Sequence, residues 1–253
     1  MSNKQKILIA NWKMHKTAAE AQVLMSQLLE GASGVPGDVE IFIACPFIYL
    51  KDFAKKLHEQ GRFKVAAQNC HHQQTGAFTG EISAAMLKSI FVDACLIGHS
   101  ERRTYCHEND DVINRKIKAC HEVGVIPVLC VGETLTEREK GREVEVVTNQ
   151  LAVALQDIDP AKPLIIGYEP VWAIGTGVVA SAQQAQDMHK VIRDFVRVIQ
   201  PERTSLSIIY GGSCNDSNAG QLFGQPDIDG GLIGSASLAA NSFIRIAQSF
   251  ANV

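Results

Sequence analysis

Eight short apolar runs recur along the chain with helical stretches between them, and this alternation constrains the fold more than any other feature. The runs cover residues 7–10, 41–45, 65–67, 94–97, 125–131, 164–166, 206–210 and 232–233. Continuous hydrophobicity belongs to strands covered on both faces, as in parallel sheets, and each parallel crossover takes a helix of about a dozen residues. The intervening segments supply such helices. Thr17-x-x-Glu20 is a capping box opening a helix to Glu30, and Ile113, Ile117 and Cys120 form one face of another that Gly124 stops. The clearest, the sixth, carries Ala185, Met188, Ile192, Phe195 and Ile199 on one stripe with polar residues opposite. Eight such units in 253 residues are the arithmetic of a closed (β/α)8 barrel, eight parallel strands with outer helices. With no linker or composition shift, a single catalytic domain over residues 1–253 is expected. A doubly wound open sheet is the rival, but its dinucleotide form needs Gly-x-Gly-x-x-Gly after the first strand, where this chain has Asn11-Trp12-Lys13-Met14.

In such a barrel chemistry gathers at the carboxyl ends of strands. The first end carries Asn11 and Lys13, the fourth His99 followed by Ser100-Glu101-Arg102-Arg103, and the sixth Glu169. The seventh ends in Tyr210-Gly211-Gly212-Ser213 and the eighth in Gly234-Ser235 just before the final helix. Cys45-Pro46, Gln68-Asn69 and the stretch from Cys130 to Glu133 are blander. Turns at Gly212 and Gly234 either permit tight bends or offer backbone N–H groups to an anion. The usual phosphate site of this architecture, after strands seven and eight, favours the anion.

The sixth strand end leads into an unusual connection. Pro170 stops strand pairing right after Glu169, and eleven residues, 170–180, separate it from the Ser181-x-x-Gln184 capping box. Connections here usually run ~2–6 residues. Trp172 and Ile174 are too apolar for a mere connector, and Gly175 and Gly177 free the backbone to bend. A mobile lid over the acid and an apolar loop docked on the surface are both consistent with this stretch.

Lys13 at a strand end reads either as a Schiff-base nucleophile or as an electrostatic clamp, and Glu101 as partner argues for the clamp. A helical turn starting after His99 would disfavour the imidazolium through its amide dipoles and leave a neutral donor. One carboxylate base, one neutral imidazole, one cation and one phosphate cradle suit proton abstraction beside a carbonyl of a small phosphorylated compound, with Glu169 taking the proton and Lys13 and His99 stabilising the oxygen.

Composition excludes other classes. The 24 Lys and Arg against 27 Asp and Glu give a net charge of -3 without a basic block, so nucleic acid is not an expected partner. No run approaches the ~18–20 residues that span a bilayer, and the polar start at 1–6 lacks a signal-peptide core, so no membrane partner and a cytoplasmic location are expected. Seven cysteines, at 45, 70, 95, 106, 120, 130 and 214, are odd in number and form no Cys-x-x-Cys pair. Reduced, structural thiols are the expectation, Cys130 and Cys214 included. Cys70-His71-His72 and Cys106-His107 point alternately on an extended chain, so no metal and no cofactor are expected.

The motifs Asn11-Trp12-Lys13-Met14, Gln68-Asn69, Gly76-Ala77-Phe78-Thr79-Gly80-Glu81, Gly98-His99-Ser100-Glu101-Arg102-Arg103, Val128-Leu129-Cys130-Val131-Gly132-Glu133, Tyr168-Glu169-Pro170-Val171-Trp172-Ala173-Ile174-Gly175-Thr176-Gly177 and Tyr210-Gly211-Gly212-Ser213 closely resemble the triosephosphate isomerase family, in its order and over nearly the whole chain. The resemblance implies a TIM barrel interconverting dihydroxyacetone phosphate and glyceraldehyde 3-phosphate, with Glu169 as base and His99 as electrophile. It implies that Asn11 and Lys13 bind substrate, that Ser100 holds Glu169 in an open state, and that Gly175, Ser213, Gly234 and Ser235 donate to the phosphate. The lid would comprise Pro170, Val171, Trp172, Ala173, Ile174, Gly175, Thr176, Gly177, Val178, Val179 and Ala180. Tyr210 and Ser213 would latch it through Ala180 and Gly177, while Ile174 and Leu232 close over the base. A homodimer is implied, the loop with Thr79 and Glu81 reaching into the partner's site. Three residues depart from the family pattern: His15 replaces the usual Asn near that contact, Ser235 replaces a glycine with a cost if φ is positive, and Val178 replaces a common Lys at the lid hinge.

Overall fold

A computed structural model describes residues 5–175 and 179–252. Its strands are β1 (Lys6–Asn11), β2 (Val39–Ala44), β3 (Lys64–Ala67), β4 (Ala94–Ile97), β5 (Ile126–Val131), β6 (Ile165–Tyr168), β7 (Ser207–Tyr210) and β8 (Gly230–Ile233). They pair in parallel in sequence order, and β8 closes on β1 with Ile7 opposite Gly230 and Ala10 opposite Ile233. The predicted runs fall on these strands with ends shifted by one or two residues. Among the described residues there are ten helices rather than eight: α1 (Ala18–Gly31), α2 (Phe47–Gln60), α3 (Ala84–Ser89), α4 (Ser100–Tyr105), α5 (Asp110–Val123), α6 (Leu135–Glu139), α7 (Glu143–Ala154), α8 (Ala182–Ile199), α9 (Ala219–Phe223) and α10 (Ala240–Gln248). The fourth and fifth strands each lead into two, a short helix at the mouth and a long one on the wall.

The caps read from sequence are formed. Thr17 and Ser181 each make a capping box, and Gly124 ends α5 in the left-handed region at φ 71°. The stripe on α8 differs from expectation. Ala185, Met188, Ile192 and Val196 are buried, Phe195 only half-buried, and Ile199 in the last turn is 37% exposed, on the wall of a surface pocket.

Two apolar layers hold the barrel. Ile7, Ile9, Phe42, Leu96, Val128, Ile165, Ile209 and Leu232 fill the lumen, while a larger layer, including Trp12, Phe53, Ile117, Leu151 and Phe243, packs between strands and helices. Strand residues alternate between these layers, which is why the runs are continuously apolar. Dense filling of both layers fixes the strand ends, and with them the side chains that leave the barrel at its mouth.

Candidate active site

The mouth is built by residues that follow their strands directly. Glu169 comes one residue after β6, its N–H donating to the Val131 carbonyl at 2.8 Å, so the barrel ladder extends through the acid. A side chain at Gly132 would collide with the Glu169 carbonyl, so only glycine lets the two strand ends approach so closely. His99 caps α4, its Nδ1 accepting the Glu101 N–H at 3.2 Å. An acceptor nitrogen carries no proton, so Nε2 bears the hydrogen and points it at Glu169 Oε1, 3.0 Å away. The Ser100 N–H donates to Glu169 Oε2 at 2.8 Å, with Ser100 Oγ 3.4 Å from Oε1.

Both titrating groups are buried, Glu169 to 2% exposure and His99 to 6%. Burial favours protonated Glu169, but His99 and the Ser100 N–H outweigh it and hold the carboxyl below its ordinary range. Burial likewise disfavours the imidazolium, yet the Glu169 carboxylate beside it raises the His99 pKa. Each shift therefore depends on Glu169 facing His99.

Lys13 stands in a strained backbone conformation, φ 51°, which its surroundings enforce. Its N–H donates to Asn11 Oδ1 at 3.0 Å, its carbonyl accepts from Gln68 Nε2 at 3.0 Å, and its ammonium lies 2.7 Å from Glu101 Oε1. Asn11, Lys13, His99, Glu169, Gly175, Ser213, Leu232, Gly234 and Ser235 line one cavity of about 540 Å³. Ser100 lies behind Glu169. His15 is exposed on the cavity rim.

The structure refines the last strand end in two respects. Gly234 opens the short 3-10 turn Ser235–Leu238 rather than the final helix, which starts at Ala240. The Ser237 hydroxyl and N–H both bond the Gly234 carbonyl and close this turn before the helix can begin. Ser235 is not among the described residues with positive φ, so the condition for a strain cost is not met there.

The connection after Glu169 begins docked. Pro170 leads into the 3-10 turn Val171–Ala173, Trp172 is half-buried, Ala173 is fully buried, and Ser213 Oγ donates to the Ala173 carbonyl at 3.2 Å. Ile174 is half-buried, Gly175 takes φ 69°, Val179 is exposed and Ala180 buried. Thr176, Gly177 and Val178 lie outside the described residues, and with them the hinge and part of the latch. Tyr210 Oη is buried with no partner among the described residues. Thr79 and Glu81 sit on an exposed loop.

Two strand ends dismissed as bland carry the supports of this site. Gln68 Nε2 also donates to the Ala44 carbonyl at 2.9 Å, tying the third strand end to the second and to Lys13. Glu133, fully buried, accepts from Trp172 Nε1 at 2.7 Å, Tyr168 Oη at 3.0 Å and Arg138 Nη1 at 3.0 Å. A carboxylate immediately after an apolar strand was the available signal for Glu133; Gln68 gave none.

Cys130 and Cys214 are buried, and burial raises both thiols, Cys214 to about 12, which agrees with structural roles.

A closed eight-stranded parallel barrel whose carboxyl-end mouth gathers a carboxylate, an imidazole and an ammonium is a (β/α)8 enzyme. Comparison with known proteins narrows the class. Triosephosphate isomerase, as a family, matches residues 6–250. The triosephosphate isomerase of Porphyromonas gingivalis is 43% identical over 251 residues, covering 98% of this chain and 100% of that one. Those of Alkaliphilus metalliredigens and Prosthecochloris aestuarii are each 45% identical, covering 95% and 97% of this chain and 97% and 98% of their own. The chain belongs to the triosephosphate isomerase family, and it is an isomerase that interconverts triose phosphates.

Proposed function

We propose that Glu169 is the base in the interconversion of dihydroxyacetone phosphate and D-glyceraldehyde 3-phosphate, with His99 as electrophile and Lys13 as the cation facing the anionic substrate. The observation that carries this reading is the buried carboxylate on the cavity wall, 3.0 Å from an imidazole whose other nitrogen is fixed as an acceptor. In this structure Glu169 is held by Ser100 and His99, so it must swing into the cavity to meet a substrate carbon. Leaving those partners removes what holds its pKa down and leaves burial, which raises it. The base therefore strengthens as it moves. His99 simultaneously loses the carboxylate that favours its charged form, and burial leaves a neutral N–H donor for the enediolate oxygen. Backbone N–H groups of Gly175, Ser213, Gly234 and Ser235 would hold the phosphate, and residues 170–180 would close over it with Ile174 and Leu232 excluding water. Tyr210 Oη, unpartnered here, is the group such a closed segment would engage.

Turnover of glyceraldehyde 3-phosphate by wild type and Glu169→Gln tests the assignment. The variant should retain binding of a phosphate-bearing analogue while kcat drops by about 10³-fold or more; wild-type turnover in the variant would remove Glu169 from the mechanism. The 2.7 Å ion pair with Glu101 engages the Lys13 ammonium and supports the clamp over the Schiff base. Borohydride added with substrate should leave no reduced adduct.

The same reading includes a cytoplasmic homodimer. Beside the catalytic cavity lies a second of about 440 Å³ with Met14, Phe47 and Tyr105 on its wall, exposed to 95%, 48% and 78%. Such an apolar rim around a pocket fits the reach of a partner's loop 76–81. Sedimentation of wild type and Thr79→Asp tests it, the charge being expected to shift the chain to monomer. Among the described residues no helix is long and apolar enough to cross a membrane.

A further inference from the structure

The catalytic reading leaves unused three cysteines far apart in the chain. Cys70 follows β3, Cys95 lies within β4 and Cys120 on α5. Their sulfurs lie within 4.8 Å of one another, Cys70 and Cys120 at 3.6 Å, and all three residues are 0–1% exposed. Among the described residues this is the one such cluster of metal-ligating side chains, and it takes Cys70 from the Cys70-His71-His72 stretch without either histidine.

We propose that Cys70, Cys95 and Cys120 form a binding site for a trivalent, thiophilic centre of the arsenite class, coordinated by three sulfurs. Soft thiol ligands select soft centres, and no carboxylate or imidazole joins the cluster to supply a fourth ligand. A tetrahedral zinc centre requires that fourth position to be filled. Charge decides between the remaining soft ions. Three thiolates around a monovalent or divalent cation leave net negative charge in the core, at a large desolvation cost. Trivalent arsenic avoids it. Arsenous acid and three thiols give a neutral trithiolate and three waters: each As–O bond breaks, an As–S bond replaces it, and each thiol proton leaves on hydroxide. No electron is transferred. Cys70 also lies on the wall of the 440 Å³ cavity, so entry runs through the face that the proposed partner's loop covers and is open when that loop is withdrawn.

The test loads the full-length chain with sodium arsenite to equilibrium without denaturant. Native mass spectrometry should show one arsenic per chain with loss of three hydrogens, and arsenic X-ray absorption should show three sulfur neighbours and no oxygen. Cys95→Val and Cys120→Ala, which lie outside the catalytic cavity and whose folding wild-type turnover would verify, should each bind arsenite more than about 100-fold more weakly, because the third bond loses its high effective concentration. Cys106→Ser, at the exposed cysteine, should bind like wild type. Two sulfurs and an oxygen around arsenic, undiminished binding in either folded variant, or zinc bound at these cysteines as tightly as arsenite would each overturn the proposal. The absorption measurement needs only the wild-type chain, so it decides the matter even where a variant fails to fold.

Discussion

The two ends of the barrel spend their polar groups differently. At the amino ends of the strands, Arg193 reaches Asp227 Oδ1 at 2.8 Å and Asp229 Oδ2 at 2.7 Å and donates to the Leu206 and Asp227 carbonyls. Asp229 also accepts the Ile208 N–H, while Gln186 exchanges two hydrogen bonds with Asp227. At the mouth, Lys13 holds a left-handed backbone, Tyr210 Oη is buried without a partner among the described residues, and Glu169 is bound by groups it must leave. The floor is closed on itself and contributes stability. The mouth keeps hydrogen-bonding capacity in reserve, which costs stability and is available to a substrate.

That contrast predicts that substitutions at the mouth change rate and those at the floor change stability. The largest effect is the loss of kcat in Glu169→Gln described above, and it should come with only a modest fall in melting temperature, since the fold favours the ionised carboxyl; a collapse in stability would mean that the buried carboxylate chiefly serves the fold. Arg193→Ala is expected next, costing about 3 kcal/mol by removing the guanidinium that two largely buried carboxylates face. Urea titration reads this, and kcat per folded molecule should stay at the wild-type value; a matching fall in kcat would break the division between the ends.

His189 gives a pH-dependent version of the same test. Buried in the wall and bonded through Nδ1 to the Ala185 carbonyl, it is pushed down to about 4 by desolvation. Between its unfolded value of 6.5 and about 4 the unfolded chain binds a proton that the folded chain refuses. Stability therefore falls as pH drops through that window, by about 3 kcal/mol in total for this residue. His189→Gln should flatten the dependence of unfolding free energy on pH between 7 and 4; an unchanged slope would assign it to other groups. The smallest effect is at Tyr210. Tyr210→Phe removes an unpaired hydroxyl, so stability should hold or rise by up to about 1 kcal/mol while kcat falls. If stability falls instead, the hydroxyl has a partner in the resting protein.

Much of this was legible in the sequence because its signals are local. Apolar runs marked all eight strands, capping boxes at Thr17 and Ser181 marked helix starts, and residues following the runs gave the acid, imidazole and lysine of one cavity. The signal weakened where a residue's use depends on a neighbour distant in sequence. Gln68 serves Lys13 across 55 residues, and Glu133 serves Trp172 across 39. Ile199 has the right periodicity, yet it lines a surface pocket and stays 37% exposed.

The sequence by itself determined the succession of strands and helices, their caps, and the chemical groups leaving each strand, since these follow from side-chain period and backbone preference within a few residues. Tertiary structure alone decided which groups face one another. Closing β8 onto β1 fixes how far around the axis each strand end lies, and only then do Ser100, His99 and Glu169 meet, or the sulfurs of Cys70, Cys95 and Cys120 converge. Angular position around a closed barrel is a property of all eight strands together, so no local stretch encodes it.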